Sequence, residues 1–170
     1  MTRASNIISI AKSYVGKLEK PGNAGFFDPA FEKELTTAGW YKGAPWCAFF
    51  TKLVWKKAYA DSKTLQNTIN RICSGGALMT LNNHKNNGTF KVSLKPIPGS
   101  IAIWRHGNTT RGHAAIVVAV VDANTFRTIE GNTNASGSRE GDRVAEKLRT
   151  LNRPFKADGL NLVGFVNPAE

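Results

Sequence analysis

The chain is short of the residues from which metal sites and disulfide frameworks are made. It has two cysteines, Cys47 and Cys73, and three histidines, with no Cys-x-x-Cys or His-x-x-x-His spacing among them. A structural zinc site therefore has no support, and neither a metal nor any other cofactor is expected. Two cysteines allow a single bridge, but no secretory signal opens the chain, so reduced thiols are expected. The first residues, MTRASNIISIAKSYVGKLEK, carry only a short apolar stretch, broken by Lys12 and lacking a small-residue cleavage site. Synthesis in the cytoplasm is the expectation. Long hydrophobic runs are also missing. The longest is HAAIVVAVV, far too short for a transmembrane segment.

Acidic residues are scarce as well: 12 Asp and Glu stand against 23 Lys and Arg, a formal net charge of +11. That balance favours a polyanionic partner, whether nucleic acid, an anionic membrane or an anionic cell wall. The basic residues are spread along the chain (WKKAY, HKNNGTFK, EKLRTLNRPFK) with no concentrated tail. No helix-turn-helix, RNP-like or zinc-finger pattern accompanies them, so no specific nucleic-acid partner is expected. A basic nucleic-acid-binding domain without catalysis is the alternative that composition permits.

What is present reads as one globular domain over residues 1–170, 41% hydrophobic and 21% charged. The first half is helical in pattern. Ile7, Ile10, Ala11, Tyr14 and Val15 share a helix face after Ser5 as N-cap. DPAFEKELTTAG has Asp-Pro at its start and Gly at its end, with Phe31, Leu35 and Ala38 as its buried stripe. A third helix is expected from about Trp46 to Ala60, with Cys47, Phe50, Val54 and Ala58 inward and Lys52, Lys56 and Lys57 outward. A fourth is expected from Ser74 to the NNG turn. The second half consists of β-rich runs, GSIAIW, HAAIVVAVV, TFRTIEG, RVAEKLRTL and NLVGFV, with DAN at 122–124 as a hairpin connection. Helices followed by consecutive strands give an α+β fold, N-terminal helices packed on a C-terminal antiparallel sheet.

Cys47 lies in GAPWCAFF. If the third helix begins near Pro45, its thiol sits in the first turn, where unpaired N–H groups and the positive dipole end favour a thiolate. The same N–H groups can hold an oxyanion. A reactive thiol also needs a base, and the base a partner that orients it. Of the histidines, His84 in NNHKNNG reads as exposed and His106 in WRHGN as a surface loop residue. His113 opens the apolar strand HAAIVVAVV and is placed to face a cleft. In TIEGNTN, Glu130 or Asn132 could accept the imidazole N–H, both projecting to one side of an extended segment. For Glu130 an ion pair with Arg127 or Arg105 is the competing reading. Cys73 in RICSGG has no comparable setting.

Taken in order, GAPWCAFFTKLVW, PGSIAIW, GHAAIVVAV, TIEGNTN and LVGFVNP resemble the CHAP (cysteine, histidine-dependent amidohydrolase/peptidase) family across about residues 5 to 168. These are papain-like cysteine hydrolases of peptidoglycan, related to the NlpC-type endopeptidases. The resemblance implies a papain-like fold, with Cys47 as nucleophile and His113 as general base. Glu130 would be the orienting third member, with Asn132 as a fourth polar residue or alternative third. Ser100 stands where the family usually has Asp. The Asp-rich calcium loop of some members is absent, and Glu19, Asp28, Glu32 and Glu34 read as helix-cap and surface charges.

Tyr41, Trp46 and Trp104 are the aromatic candidates for the substrate cleft. The implied function is cleavage of an amide in or next to the stem peptide through a thioester, by a monomer acting on peptidoglycan. Delivery would be by a holin, as for an endolysin, or by a secretion machine, as for an antibacterial effector with an immunity protein as partner. A papain-like protease or isopeptidase acting on a protein would share the same residues.

Overall fold

A computed structural model describes residues 2–133 and 141–169. Asn134, the last residue of TIEGNTN, lies outside the described residues. Five α-helices precede the main run of strands. Helix α1 spans Arg3–Ser13 and is capped by Thr2, whose hydroxyl accepts the Ser5 N–H, so the cap is three residues earlier than Ser5. Helix α2, Pro29–Thr37, starts as expected with Asp28 accepting from the Ala30 and Phe31 N–H groups and Pro at its first position.

Helix α3, Cys47–Ala58, is the axis of the molecule. Its residues are buried almost all round, Lys52 among them, so the expected outward lysine face exists only at Lys56 and Lys57. A helix that is apolar on every side is one enclosed by others. Helix α4, Lys63–Ile72, was not anticipated; Ser62 caps it, and Ile69 and Ile72 face the core. Helix α5, Ala77–Asn87, begins three residues after Ser74 and stops at Gly88, which takes the left-handed conformation at φ 74°.

The sheet holds six antiparallel strands in the order β1-β6-β2-β3-β4-β5. They are β1 (Val92–Ser93), β2 (Ile101–His106), β3 (Gly112–Val120), β4 (Thr125–Thr133), β5 (Arg143–Thr150) and β6 (Leu160–Val166). Alternation along the strands separates two faces. Ile101, Ile103, Ala114, Ile116, Ile129 and Val144 join the helices in the main core. Ala102, Trp104, Ala115, Val117, Phe126 and Phe165 form a second cluster, packed against Leu151, Leu160 and Leu162. The result is the α+β arrangement the sequence pattern predicts, helices on an antiparallel sheet.

Two glycines let the helical half approach the sheet. A Cβ on Gly131 of β4 would lie 2.5 Å from Cζ3 of Trp46 and 2.7 Å from Cβ of Phe50. A Cβ on Gly112 would lie 2.5 Å from the Trp104 carbonyl oxygen and 3.2 Å from Cγ of Leu78 on α5. Glycine is required at both because any side chain would push an element away. Gly131→Ala is expected to cost about 1–3 kcal/mol through overpacking. Thermal unfolding should show its Tm lowered by roughly 2–4 °C for each kcal/mol. An unchanged Tm would mean that α3 and β4 do not meet at this distance.

Candidate active site

The turn before α3 sets the position of the thiol. The Ala44 N–H donates to the Tyr41 carbonyl at 3.1 Å, and the Gly43 N–H donates to Asn23 at 2.9 Å. Trp46 is the N-cap residue, yet its side chain makes no capping hydrogen bond, since an indole has no acceptor to offer. The first intrahelical bond is from the Phe50 N–H to the Trp46 carbonyl, at 2.8 Å. The N–H groups of Cys47, Ala48 and Phe49 therefore form an uncapped positive helix end around the Cys47 sulfur.

His113 is the second residue of β3 and lies opposite Trp104 of β2 in the antiparallel ladder. Its Nε2 is 2.8 Å from Oε2 of Glu130 on β4. Its ring also faces the Cys47 thiol, and the two groups interact through charge and a side-chain hydrogen-bonding contact. The sulfur of the helical half and the imidazole of the sheet half thus meet. Cys47 is 7% exposed and His113 9%, so the pair is enclosed but open to a small molecule or chain end.

Glu130 has no exposed surface, and both of its oxygens are taken. Thr128 donates its hydroxyl to Oε1 at 2.6 Å. Arg149 of β5 grips the carboxylate with two bonds, Nε to Oε1 at 2.7 Å and Nη2 to Oε2 at 2.5 Å. The cationic partner is therefore neither Arg127, which pairs with Glu146 at 3.1 Å, nor Arg105.

Burial would raise the Cys47 pKa. The charge and hydrogen bond of His113, with the Ala114 and Ala48 N–H groups, reverse this and hold it below the ordinary thiol value. Burial would likewise lower the His113 pKa, but the facing thiolate and then Glu130 raise it to about 10. Glu130 is held well below the usual carboxylate range: burial opposes its charge, and His113 and Arg149 outweigh burial. The three shifts share one direction: a thiolate facing an imidazolium braced by a carboxylate.

The other cysteine also touches a histidine. Cys73 Sγ, at the end of α4, lies 3.3 Å from His84 Nε2 on α5. His84 is not exposed as its polar neighbours suggested; it is fully buried against Trp55 and Phe90. Here burial acts unopposed on the imidazole and nearly so on the thiol. It pushes Cys73 up to about 12 and His84 down to about 4, so both stay neutral near pH 7. Among the described residues His84 Nδ1 has no hydrogen-bond partner, and no carboxylate orients the ring. This contact packs two helices; it does not prepare a nucleophile. The spacing Ala77, Thr80, Leu81, His84 is a buried stripe that could have revealed it.

Several expected site residues fall elsewhere. Asn132 does not share the extended run with Glu130: its φ is 52°, in a bulge where the pairing shifts between Glu130 and Thr133. Among the described residues it is Glu130 that bonds to the imidazole. Trp46 is wholly enclosed, edge-on to Phe26 at 5.0 Å and Phe31 at 5.9 Å, so it anchors the helix start and cannot contact substrate. Trp104, 2% exposed, stacks on Phe126 at 6.3 Å and supports the His113 ring at 5.9 Å. It too belongs to the framework. Only Tyr41, 69% exposed, is free to meet a ligand. His106 closes β2 and is half-buried. Asp28 caps α2 and pairs with Lys17, Glu32 accepts from the Phe26 N–H, and Glu34 binds Tyr14 and Lys57. Pattern reading missed Arg149, Thr128 and the Ala114 N–H. Only Arg149 left a trace, as one of the alternating polar positions of RVAEKLRTL.

The family model of the CHAP domain matches residues 39–132, more than half of the chain. The matched stretch contains Cys47, His113 and Glu130; Arg149 lies beyond it. No curated protein and no solved structure matches the chain.

Iodoacetamide at pH 6.5 is expected to modify Cys47 in the folded protein and to leave Cys73 untouched until denaturant is added, as read by peptide mass mapping. His113→Ala should slow the Cys47 reaction about 100-fold at that pH, the thiolate fraction lost when a thiol returns to an ordinary pKa of about 8.5. Reaction at Cys73 first would reverse the assignment of the two cysteines.

Proposed function

The chain belongs to the CHAP domain family of cysteine-dependent hydrolases, and from that premise we propose that it cleaves an amide of peptidoglycan with Cys47 as nucleophile. One observation carries the reading: a thiol at an uncapped helix start, facing an imidazole whose Nε2 is 2.8 Å from a buried carboxylate. That is the nucleophile, base and orienting group of covalent amide hydrolysis, in contact.

In the proposed reaction the Cys47 thiolate attacks the carbonyl carbon of an amide in or next to the stem peptide. The C–S bond forms, and the carbonyl oxygen takes the negative charge. First-turn N–H groups of α3 are the donors placed to hold that oxyanion. The His113 imidazolium then gives its proton to the amine nitrogen, the C–N bond breaks, and a thioester remains. Neutral His113 next removes a proton from water; the hydroxide attacks the thioester, and thiolate leaves. Glu130 keeps one tautomer and one ring orientation through both halves. Tyr41, which is exposed, would be the aromatic that packs against sugar or peptide.

The family's association with peptidoglycan supports this substrate, and so does the net charge of +11. A bacterial wall carries anionic polymers, and a basic protein is drawn to it without a dedicated binding module. Among the described residues no helix is long and apolar enough to cross a membrane.

Purified sacculi digested with the protein and separated by mass spectrometry should release soluble muropeptides with new amine termini. A new terminus on L-alanine identifies an amidase, and one within the stem or cross-bridge an endopeptidase. Cys47→Ser should release none, and equal fragments from both proteins would remove Cys47 from the mechanism. Sacculus binding should weaken steeply as salt rises from 50 mM to 500 mM, because the Debye length shrinks from about 14 Å to about 4 Å. Binding indifferent to salt would dismiss the role given to charge.

A further inference from the structure

Resting on the assignment of Cys47 and His113 above, we propose that Arg149 is a positioning residue of the centre: it neutralises the buried Cys47–His113–Glu130 group and fixes Glu130 against the imidazole. Arg149 lies on β5, beyond the family match that ends at residue 132.

The argument begins with charge. A thiolate, an imidazolium and a carboxylate together carry one net negative charge. Glu130 has no exposure, and Cys47 and His113 have 7% and 9%. An uncompensated charge in such a place is strongly unfavourable, and the group would escape by taking up a proton, which destroys the thiolate. Arg149 supplies the missing positive charge and brings the four side chains to zero. A guanidinium is suited to this place because it stays protonated at every relevant pH and its fork matches both carboxylate oxygens.

Geometry adds a second argument. Oε2 of Glu130 is shared between Arg149 Nη2 at 2.5 Å and His113 Nε2 at 2.8 Å. Oε1 is shared between Arg149 Nε at 2.7 Å and the Thr128 hydroxyl at 2.6 Å. The carboxylate plane is therefore fixed at three corners, and the fourth direction is the imidazole. The guanidinium is itself held over the Trp104 ring, 5.2 Å from its centroid, and that ring also supports His113. The register places Arg149 opposite Phe126, so β4 and β5 carry Glu130 and Arg149 to one face of the sheet. Among the described residues the charged groups facing Glu130 are His113 from β3 and Arg149 from β5, with Cys47 of α3 beyond His113 and Lys147 two residues along β5 opposite Thr128.

The test is the pH profile of Cys47 alkylation, measured alongside sacculus digestion, in wild type, Arg149→Met, Arg149→Lys and Lys147→Met. Removing the arginine charge should move the acid-side midpoint of alkylation up by about one unit, a roughly tenfold slower reaction below it. Digestion should show the same shift in kcat with KM little changed. Arg149→Lys should restore the midpoint and recover only part of kcat, because charge returns without the fork. Circular dichroism keeps folding separate from the effect. If Arg149→Met unfolds, the Lys variant alone decides, by whether its midpoint holds while its kcat falls. A profile in Arg149→Met that superimposes on wild type overturns the proposal. So does an equal shift in Lys147→Met, which would assign the effect to the general charge of the face. Wild-type alkylation that does not depend on His113 would instead overturn the assignment of the centre.

Discussion

Glu130 is a carboxylate with no access to water, and the arrangement of the centre follows from what keeps it charged. An ionised side chain taken out of water costs several kcal/mol unless its partners replace the lost hydration. Four donors do so here, from Thr128, His113 and the two nitrogens of Arg149. Their positions depend on the register of three neighbouring strands, so a slip of one residue in β3, β4 or β5 would turn a partner to the opposite face. Strand register, ordinarily a matter of hydrophobic alternation, is tied here to the chemistry.

The two cysteine–histidine contacts separate the effect of proximity from that of charge compensation. Cys73 and His84 are 3.3 Å apart and almost wholly buried, yet burial drives both toward their neutral forms. Cys47 and His113 are also buried, and burial opposes their charges in the same way. The difference is what surrounds them: a carboxylate behind one imidazole, aromatic rings behind the other. Lys52 near Cys73 does not change this, because its own burial lowers its pKa and it lies on the thiol side. At Cys47 the facing imidazole, the Ala114 and Ala48 N–H groups and Glu130 behind His113 together favour the ion pair, and Cys73 and His84 have no such set.

Much of this was legible in the chain because it depends on local spacing. Asp28-Pro29 marks a helix start, and Cys47 after Pro45 and Trp46 lies at another. His113 at the mouth of an apolar strand and Glu130 within the next are features of single segments. What was not legible depends on how segments meet. The burial of Trp46 and Trp104 is decided by neighbours far along the chain. Asn132 was misplaced because a bulge, invisible in an alternating pattern, breaks the extended run after Glu130. Arg149 could not be matched to Glu130, since 19 residues separate them and the pairing of β4 with β5 must be known first. Helix α4 is a different case, for Ser62, Ile69 and Ile72 carry an ordinary amphipathic signal within one segment.

Charge has two separate uses in this molecule. Over the surface it is unbalanced, +11 for the whole chain, and acts at the range of the Debye length. At the centre it is balanced over four side chains held within hydrogen-bond contact of one another. The separation has a physical reason. The bond proposed for cleavage is a neutral amide, which gains nothing from a charged pocket until the oxyanion forms. A net charge at the centre would only move the proton off the imidazole or onto the thiolate. The polymer proposed to carry that bond is anionic and would be met at long range, where individual side chains cannot be distinguished. On that proposal dispersed lysines and arginines serve encounter, while a neutral quartet preserves the thiolate.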